Sequence, residues 1–420
     1  AAIEADRSCQ PLIFLTADRP GRLKDCGANQ TINQEELLQP VCRWVKQGPK
    51  RGMHTLEDFE IDKLVDQAWE KAHITPGPVH LNLPFEEPLV ASEIEQKEVR
   101  SEWSLPSSKV AYGCLPEGRL PCRSELESWN SLDPSSPGVV IVGPWRGSSM
   151  NLSSFQEALR NWQAISGWPV LADPLSGVLQ DQAGVIRSWP LLLPDHLPIP
   201  EGKIQVLRLG PMPSSKSLEV WLRRLGDGQL LITEGESRSL DPLGNSFQWS
   251  GSFCQWWEIF QDSSDFLRVQ SAHGKSPLLN SWKLIDLKAQ KWLDVQLPMQ
   301  GAVTEPALAR WFPRLLARET SIMLSASSPV RDCLAYSDLS LFSRRCLGFR
   351  GASGIDGTLS LAMGLSVELG PMLLLTGDLA LLHDSNGWLL SHAHQPSLVV
   401  LLIDNHGGGI FEQLGLKTSS

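Results

Sequence analysis

A parallel α/β fold is predicted by three features of the 420-residue sequence. Short apolar runs of strand length recur, bounded by Gly and Pro. Stretches with helical spacing separate them, the alternation that parallel sheets require. The last two runs end directly on Gly377-Asp378 and on Asp404-Asn405, the polar punctuation expected where a strand opens into a loop.

The runs group into three α/β units. In the first, Pro11 to Thr16 and Val79 to Leu83 read as strands, with helical spacing from Thr55 to Ala72 between them. Residues from Glu86 to about Pro121, rich in Glu, Ser and Pro, read as a surface-lying linker. The second unit offers strands at Val139–Val142, Val170–Ala172, Ile204–Leu209 and Leu230–Thr233, with a helix at Ser217–Leu225. The third starts near Gly301, with a helix around Pro306 to Arg318 and strands at Ile322–Ser325, Met372–Thr376 and Leu398–Ile403. The 16 tryptophans are too dispersed for a motif and read mostly as packing or surface aromatics.

Composition narrows the function. The chain is 42% apolar and 20% charged, enough for a core in each of the two to four domains that ~100–200 residues per domain implies. A net charge of -10 repels polyanions, so nucleic-acid binding is not expected. No apolar run approaches the ~18 residues of a membrane span, and a soluble protein is expected. The eight cysteines, Cys9, Cys26, Cys42, Cys114, Cys122, Cys254, Cys333 and Cys346, form no CxxC pair. Reduced thiols in a cytoplasmic protein are the reading that follows, and no targeting peptide is visible.

The segment Pro371 to Leu414 carries the strongest chemical signal. Its order is strand, Gly377-Asp378, helix, strand, Asn405, glycine loop. Ligands of parallel α/β sheets gather at the carboxyl ends of strands, so Asp378 and Asn405 are expected side by side. One carboxylate, one amide oxygen and the Gly407 carbonyl suit an octahedral Mg²⁺ whose remaining ligands are diphosphate oxygens and water. Glycines admit close approach of backbone amides to phosphate. The plainer reading is that GD and NHGGG are turn sequences.

A family resemblance favours the first reading. GDL, followed about 26 residues later by Asn and glycines, resembles the thiamine-diphosphate motif of pyruvate-decarboxylase-like enzymes, with Asp404 in place of the first Asn of the usual pair. Three further segments, LTADRPGRLKDCGANQTINQ (Leu15 to Gln34), GPVHLNLPFEEPL (Gly77 to Leu89) and RGASGIDG (Arg350 to Gly357), resemble the 2-succinyl-5-enolpyruvyl-6-hydroxy-3-cyclohexene-1-carboxylate synthase family. The resemblance covers essentially the whole chain, more loosely in the centre. It implies a three-domain architecture of parallel sheets flanked by helices, with the first and last domains incomplete. Residues 1–90 correspond to the end of a pyrimidine-binding domain, 91–121 to a linker, 122–300 to a central domain and 301–420 to the start of a diphosphate-binding domain.

The implied reaction decarboxylates 2-oxoglutarate and adds the succinyl carbanion 1,4 to isochorismate, on the route to menaquinone or phylloquinone. Thiamine diphosphate and Mg²⁺, or Mn²⁺, are the implied cofactors, with Asp378, Asn405 and Gly407 as metal ligands. Gly377, Leu379, Ile355, Ile410 and Phe411 complete the cofactor site, Ile355 as the apolar support that bends the cofactor or else as a core residue. Both substrates are dianions, and arginine forks suit carboxylates. The resemblance assigns Ser327, or Ser328, with Arg331 and Arg350 to the succinyl carboxylate, and Arg19, Asn29, Gln30 and Lys216 to isochorismate. Plainer roles are surface arginines, and Asn29 or Gln30 as cap of a helix starting near Thr31. Ser217 stands where the family often has a second cation beside Lys216.

The family's activating glutamate lies upstream of the segment where this chain starts, so no catalytic residue is assigned; a fragment inactive by itself is expected. The intact protein is expected to be a homodimer or homotetramer. The rivals are an acetolactate-synthase or 2-oxoacid-decarboxylase type, for whose flavin Gly143-Pro144 and Gly210-Pro211 are poor candidates, and a non-catalytic homologue.

Overall fold

The computed structural model describes residues 1–87, 89–102, 132–179, 181–193, 195–199, 204–226, 228–262, 277–390 and 396–414. The chain divides into two compact units, Ala1–Leu120 and Pro121–Ser420.

In the first unit, β1 (Leu12–Asp18), β2 (Trp44–Gln47) and β3 (Pro78–Pro84) form a parallel sheet in the order β1-β3-β2. The helix Asp58–Ile74 packs on it, burying Ala68 and Ala72 against Val79 and Leu81. Its N-terminus is set by a capping box between Glu57 and Glu60. The expected linker is partly helical, over Glu93–Glu102. Ser92 and Glu95 make the reciprocal bonds of another capping box there, a local signal that outweighs the polar composition. The rest of the linker, with Cys114 and Cys122, lies outside the described residues.

The second unit holds two parallel sheets. One contains β4 (Gly138–Val142), β5 (Val170–Ala172), β6 (Gln205–Leu209), β7 (Gln229–Ile232) and β8 (Ser246–Trp249), in the order β5-β4-β6-β7-β8. The other contains β9 (Ser321–Leu324), β10 (Cys346–Gly348), β11 (Met372–Gly377) and β12 (Leu398–Ile403), in the order β10-β9-β11-β12. Val140, Leu207 and Leu230 of the first sheet share one continuous apolar core with Ile322, Leu324 and Leu373 of the second. Trp162 anchors the aromatic part of that core, edge-on to Trp168 at 5.3 Å and to Trp256 at 5.2 Å between centroids. Among the described residues no helix is long and apolar enough to cross a membrane.

All three sheets are thus parallel and flanked by helices, the fold class expected. Parallel order places the carboxyl ends of all strands of a sheet along one edge, and the candidate residues lie on such edges.

Candidate active site

In the β9–β12 sheet, Gly377 pairs with Ile403, so β11 and β12 end level. Asp378 and the Asp404-Asn405 pair, 27 positions apart in sequence, therefore leave adjacent strands at the same height. Asp378 begins the helix Asp378–His383, and its Oδ1 accepts from the Leu379 N–H at 2.8 Å. Its charge complements the helix N-terminus.

The loop after β12 is folded by local chemistry. Asp404 Oδ1 accepts from the His406 N–H at 2.9 Å, an Asx turn that Asp makes as readily as Asn. His406, Gly407 and Gly408 then adopt left-handed backbone, with φ of 62°, 87° and 69°. Asn405 Oδ1 accepts from the Gly409 N–H at 3.3 Å, and its Nδ2 donates to Glu305 Oε1 at 3.0 Å. A Cβ on Gly409 would come within 2.7 Å of Asn405 Nδ2, so this position admits only glycine without displacing the amide. Leu379 closes on the loop, 3.8 Å from where a Gly407 Cβ would stand, while Gly377 has open space beside it. Ile410 is half-buried and Phe411 exposed.

The neighbouring loops start at the same edge. Beyond β9, Ser327 has φ 74° and ψ -134°, a region that glycine alone adopts without strain. It precedes the helix Ser328–Tyr336, on which Arg331 is exposed and donates to the Ser327 carbonyl at 2.7 Å. Ser328 is buried. After β10 comes Arg350, whose Nη2 donates to Ser214 Oγ and whose carbonyl accepts from Arg146 Nη2 at 3.2 Å. Asp173 lies close enough for its charge to be felt by Arg350; burial nevertheless pushes that carboxyl up to about 6. Ile355, half-buried, leads into the helix Thr358–Leu369. Lys216 starts the helix Lys216–Leu225, two residues beyond Ser214; it is exposed and pairs with Glu219 at 2.8 Å.

Arg19, Asn29 and Gln30 belong to the first unit. Arg19 Nη2 donates to Gln30 Oε1 at 3.3 Å, and Gln30 has φ 61°. The helix there is Gln34–Leu37 with Asn33 as its N-cap, so Asn29 and Gln30 do not cap it. The loop is instead tied to a polar network centred on fully buried Asn82. Its Nδ2 donates to Asp18 and Gln47, at 2.6 and 2.7 Å, and its Oδ1 accepts from Thr16 and Gln34, at 2.8 and 2.6 Å. Lys24 bridges Asp18 and Glu35. Burial raises the Asp18 carboxyl, but hydrogen bonds from Lys24, Asn82 and the Arg19 N–H outweigh it and hold the group below its ordinary value. Sequence reasoning missed Asn82; its signal was a lone amide inside the apolar run VHLNL.

Backbone strain marks the same segments independently. Of the seven non-glycine residues with positive φ among those described, four are Gln30, Ser327, Ser353 and His406, each within a candidate loop. Such conformations cost about 1–3 kcal/mol each and concentrate at functional sites. Glu305 and Asp332 were also missed. Burial, then the nearby Glu305 charge, pushes the Asp332 carboxyl up to about 7.

The loops after β4 and β6 close on each other: a Cβ on Gly143 would overlap the Pro211 carbonyl at 1.6 Å.

The fold and these edges define a parallel α/β protein whose carboxylate, amide, glycine and arginine positions collect at the carboxyl ends of its strands. No family model matches the chain. It is 58% identical, over 425 residues, to the 2-succinyl-5-enolpyruvyl-6-hydroxy-3-cyclohexene-1-carboxylate synthase of Prochlorococcus marinus strain MIT 9313, covering all of this chain and 73% of that protein. To the synthase of the same name from strain MIT 9303 it is 59% identical, covering 99% of this chain and 72% of the relative. To that of Synechococcus sp. strain CC9311 the identity is 53%, covering 100% and 73%. The chain belongs to the 2-succinyl-5-enolpyruvyl-6-hydroxy-3-cyclohexene-1-carboxylate synthase family.

Proposed function

We propose that this protein is a transferase that decarboxylates 2-oxoglutarate and adds the succinyl unit to isochorismate, using thiamine diphosphate and Mg²⁺ or Mn²⁺, in menaquinone or phylloquinone biosynthesis. The observation that carries the reading is the Gly377–Ile403 register, which sets Asp378 beside a loop whose left-handed run and obligatory glycine leave a backbone cradle. The donor set fits the group: Asp378 carboxylate, Asn405 amide oxygen and Gly407 carbonyl are hard oxygens of the kind Mg²⁺ takes alongside phosphate. Gly377, Leu379, Ile355, Ile410 and Phe411 would line the cofactor, and residues 1–90, 122–300 and 301–420 would be its pyrimidine-binding, central and diphosphate-binding parts.

When bound, thiamine diphosphate supplies the electron sink for loss of CO₂. The chain's own groups bind and orient. Arg331 and Arg350, with Ser327, would hold the distal carboxylate of 2-oxoglutarate; Ser327 is only half-buried whereas Ser328 is buried, which favours the former serine. Arg19, Asn29, Gln30 and Lys216 would receive isochorismate. We place the protein in the cytoplasm, as a homodimer or homotetramer.

The test is isochorismate consumption by the gene's full reading frame with 2-oxoglutarate, Mg²⁺ and thiamine diphosphate. Consumption that requires 2-oxoglutarate is expected. A protein inert toward isochorismate that releases CO₂ from another 2-oxoacid would retain the cofactor assignment and overturn the substrates. Ser327→Gly offers a second check. Relief of backbone strain is expected to stabilise the fold by about 1 kcal/mol in denaturant titration, while the KM for 2-oxoglutarate rises through loss of the hydroxyl. A variant no more stable than the parent would show that Ser327 stores no strain.

A further inference from the structure

We infer that Glu305 is a positioning residue that fixes which end of the Asn405 amide faces the glycine loop. This rests on the reading of Asn405 as a metal ligand. An asparagine amide has two unlike ends of nearly equal shape, and its hydrogen-bond partners decide which way round it sits. Only the oxygen end serves a hard cation. Glu305 Oε1 accepts from Asn405 Nδ2 at 3.0 Å, so it pairs with the NH₂ end of the amide and leaves the oxygen end to the other side. Oδ1 is thereby turned toward the loop, where the Gly409 N–H meets it at 3.3 Å.

Glu305 is itself held. It is the first residue of the helix Glu305–Leu315, where its charge complements the helix N-terminus, and Thr304 caps that helix by accepting from the Ala307 N–H at 3.3 Å. Buried Asp332, which follows Arg331 on the helix Ser328–Tyr336, stands close enough for its carboxyl to feel the Glu305 charge. Asp332, Glu305 and Asn405 are thus neighbouring polar groups between the helix carrying Arg331 and the glycine loop. The partners of a metal's ligands, not only the ligands, set its affinity.

The test titrates Mn²⁺ into the full-length protein at fixed thiamine diphosphate, following free Mn²⁺ by electron paramagnetic resonance. Glu305→Ala is expected to raise the half-saturating Mn²⁺ concentration about 10–100-fold. Glu305→Gln, which still offers an amide oxygen to Asn405 Nδ2, is expected within a few-fold of the parent. The double variant Glu305→Ala/Asn405→Ala should bind no more weakly than Asn405→Ala alone, because residues acting through one another are not additive. Parental affinity in Glu305→Ala would overturn the inference. So would equal loss in Glu305→Gln, which would mean the Glu305 charge meets the cation directly. A parent that binds Mn²⁺ no differently with and without thiamine diphosphate would instead remove the cofactor reading itself.

Discussion

Asp378→Ala is expected to lose binding of Mg²⁺-thiamine diphosphate by more than the roughly 10–100-fold that removal of a ligand's partner costs a metal site. The reason lies in the donor set. Asn405 and Gly407 contribute neutral oxygens, so Asp378 is the one formal negative charge that the proposed protein ligands bring to the cation. Its carboxylate is steadied by the Leu379 N–H at the start of a helix, so removal takes away both the charge and an oriented oxygen. Asp378→Asn keeps an oxygen of similar reach and should fall between the parent and the alanine variant. Isothermal titration of thiamine diphosphate into each variant at saturating Mg²⁺ measures the effect. Stability should change by no more than about 1 kcal/mol, the scale of a charge at a helix N-terminus. Parental affinity in Asp378→Ala would end the assignment of this edge to the metal.

Arg350→Ala is expected to cut kcat/KM for 2-oxoglutarate by about 30-fold to several-thousand-fold, the equivalent of about 2–5 kcal/mol for truncating one member of a buried, hydrogen-bonded charge pair. Two effects combine. The proposed substrate carboxylate loses a fork of donors, and the loop after β10 loses the bond to Ser214 that ties it to the β4–β8 sheet. Arg331→Ala separates these effects, because exposed Arg331 bonds within its own helix turn, to the Ser327 carbonyl. Both variants should shift preference toward 2-oxoacids that lack the second carboxylate, and only Arg350→Ala should also lower thermal stability. The ratio of kcat/KM for 2-oxoglutarate to that for 2-oxobutyrate in CO₂ release is the measurement. An unchanged ratio in both variants would take the distal carboxylate away from these arginines.

Most strands were legible because strands buried in a parallel sheet carry continuous apolar runs. Nine of the twelve described strands coincide with such runs. The three that were not anticipated, β2 (WVKQ), β8 (SFQW) and β10 (CLG), are all sheet edges. Polar residues interrupt β2 and β8, and β10 is only three residues long, so none carries a continuous apolar run. The helical end of the expected linker was missed for the opposite reason: its evidence is a local cap, while its composition is that of a loop.

By itself the sequence determined the parallel α/β class and singled out Asp378, Asn405 and Gly407 as the proposed metal ligands, since strand-ending punctuation and glycine requirements are local and survive in one dimension. Their neighbourhood followed from topology, as adjacent parallel strands end on one edge. Only the tertiary structure decided what holds these residues. Glu305 meets Asn405 from 100 positions away, Ser214 meets Arg350 from 136, and Asn82 meets Asp18 from 64. Each of these partners is an ordinary polar residue in its own segment, with no spacing that announces it. Hydrogen bonds between distant segments depend on where the sheets bring side chains in space, and that information is absent from any local run of residues.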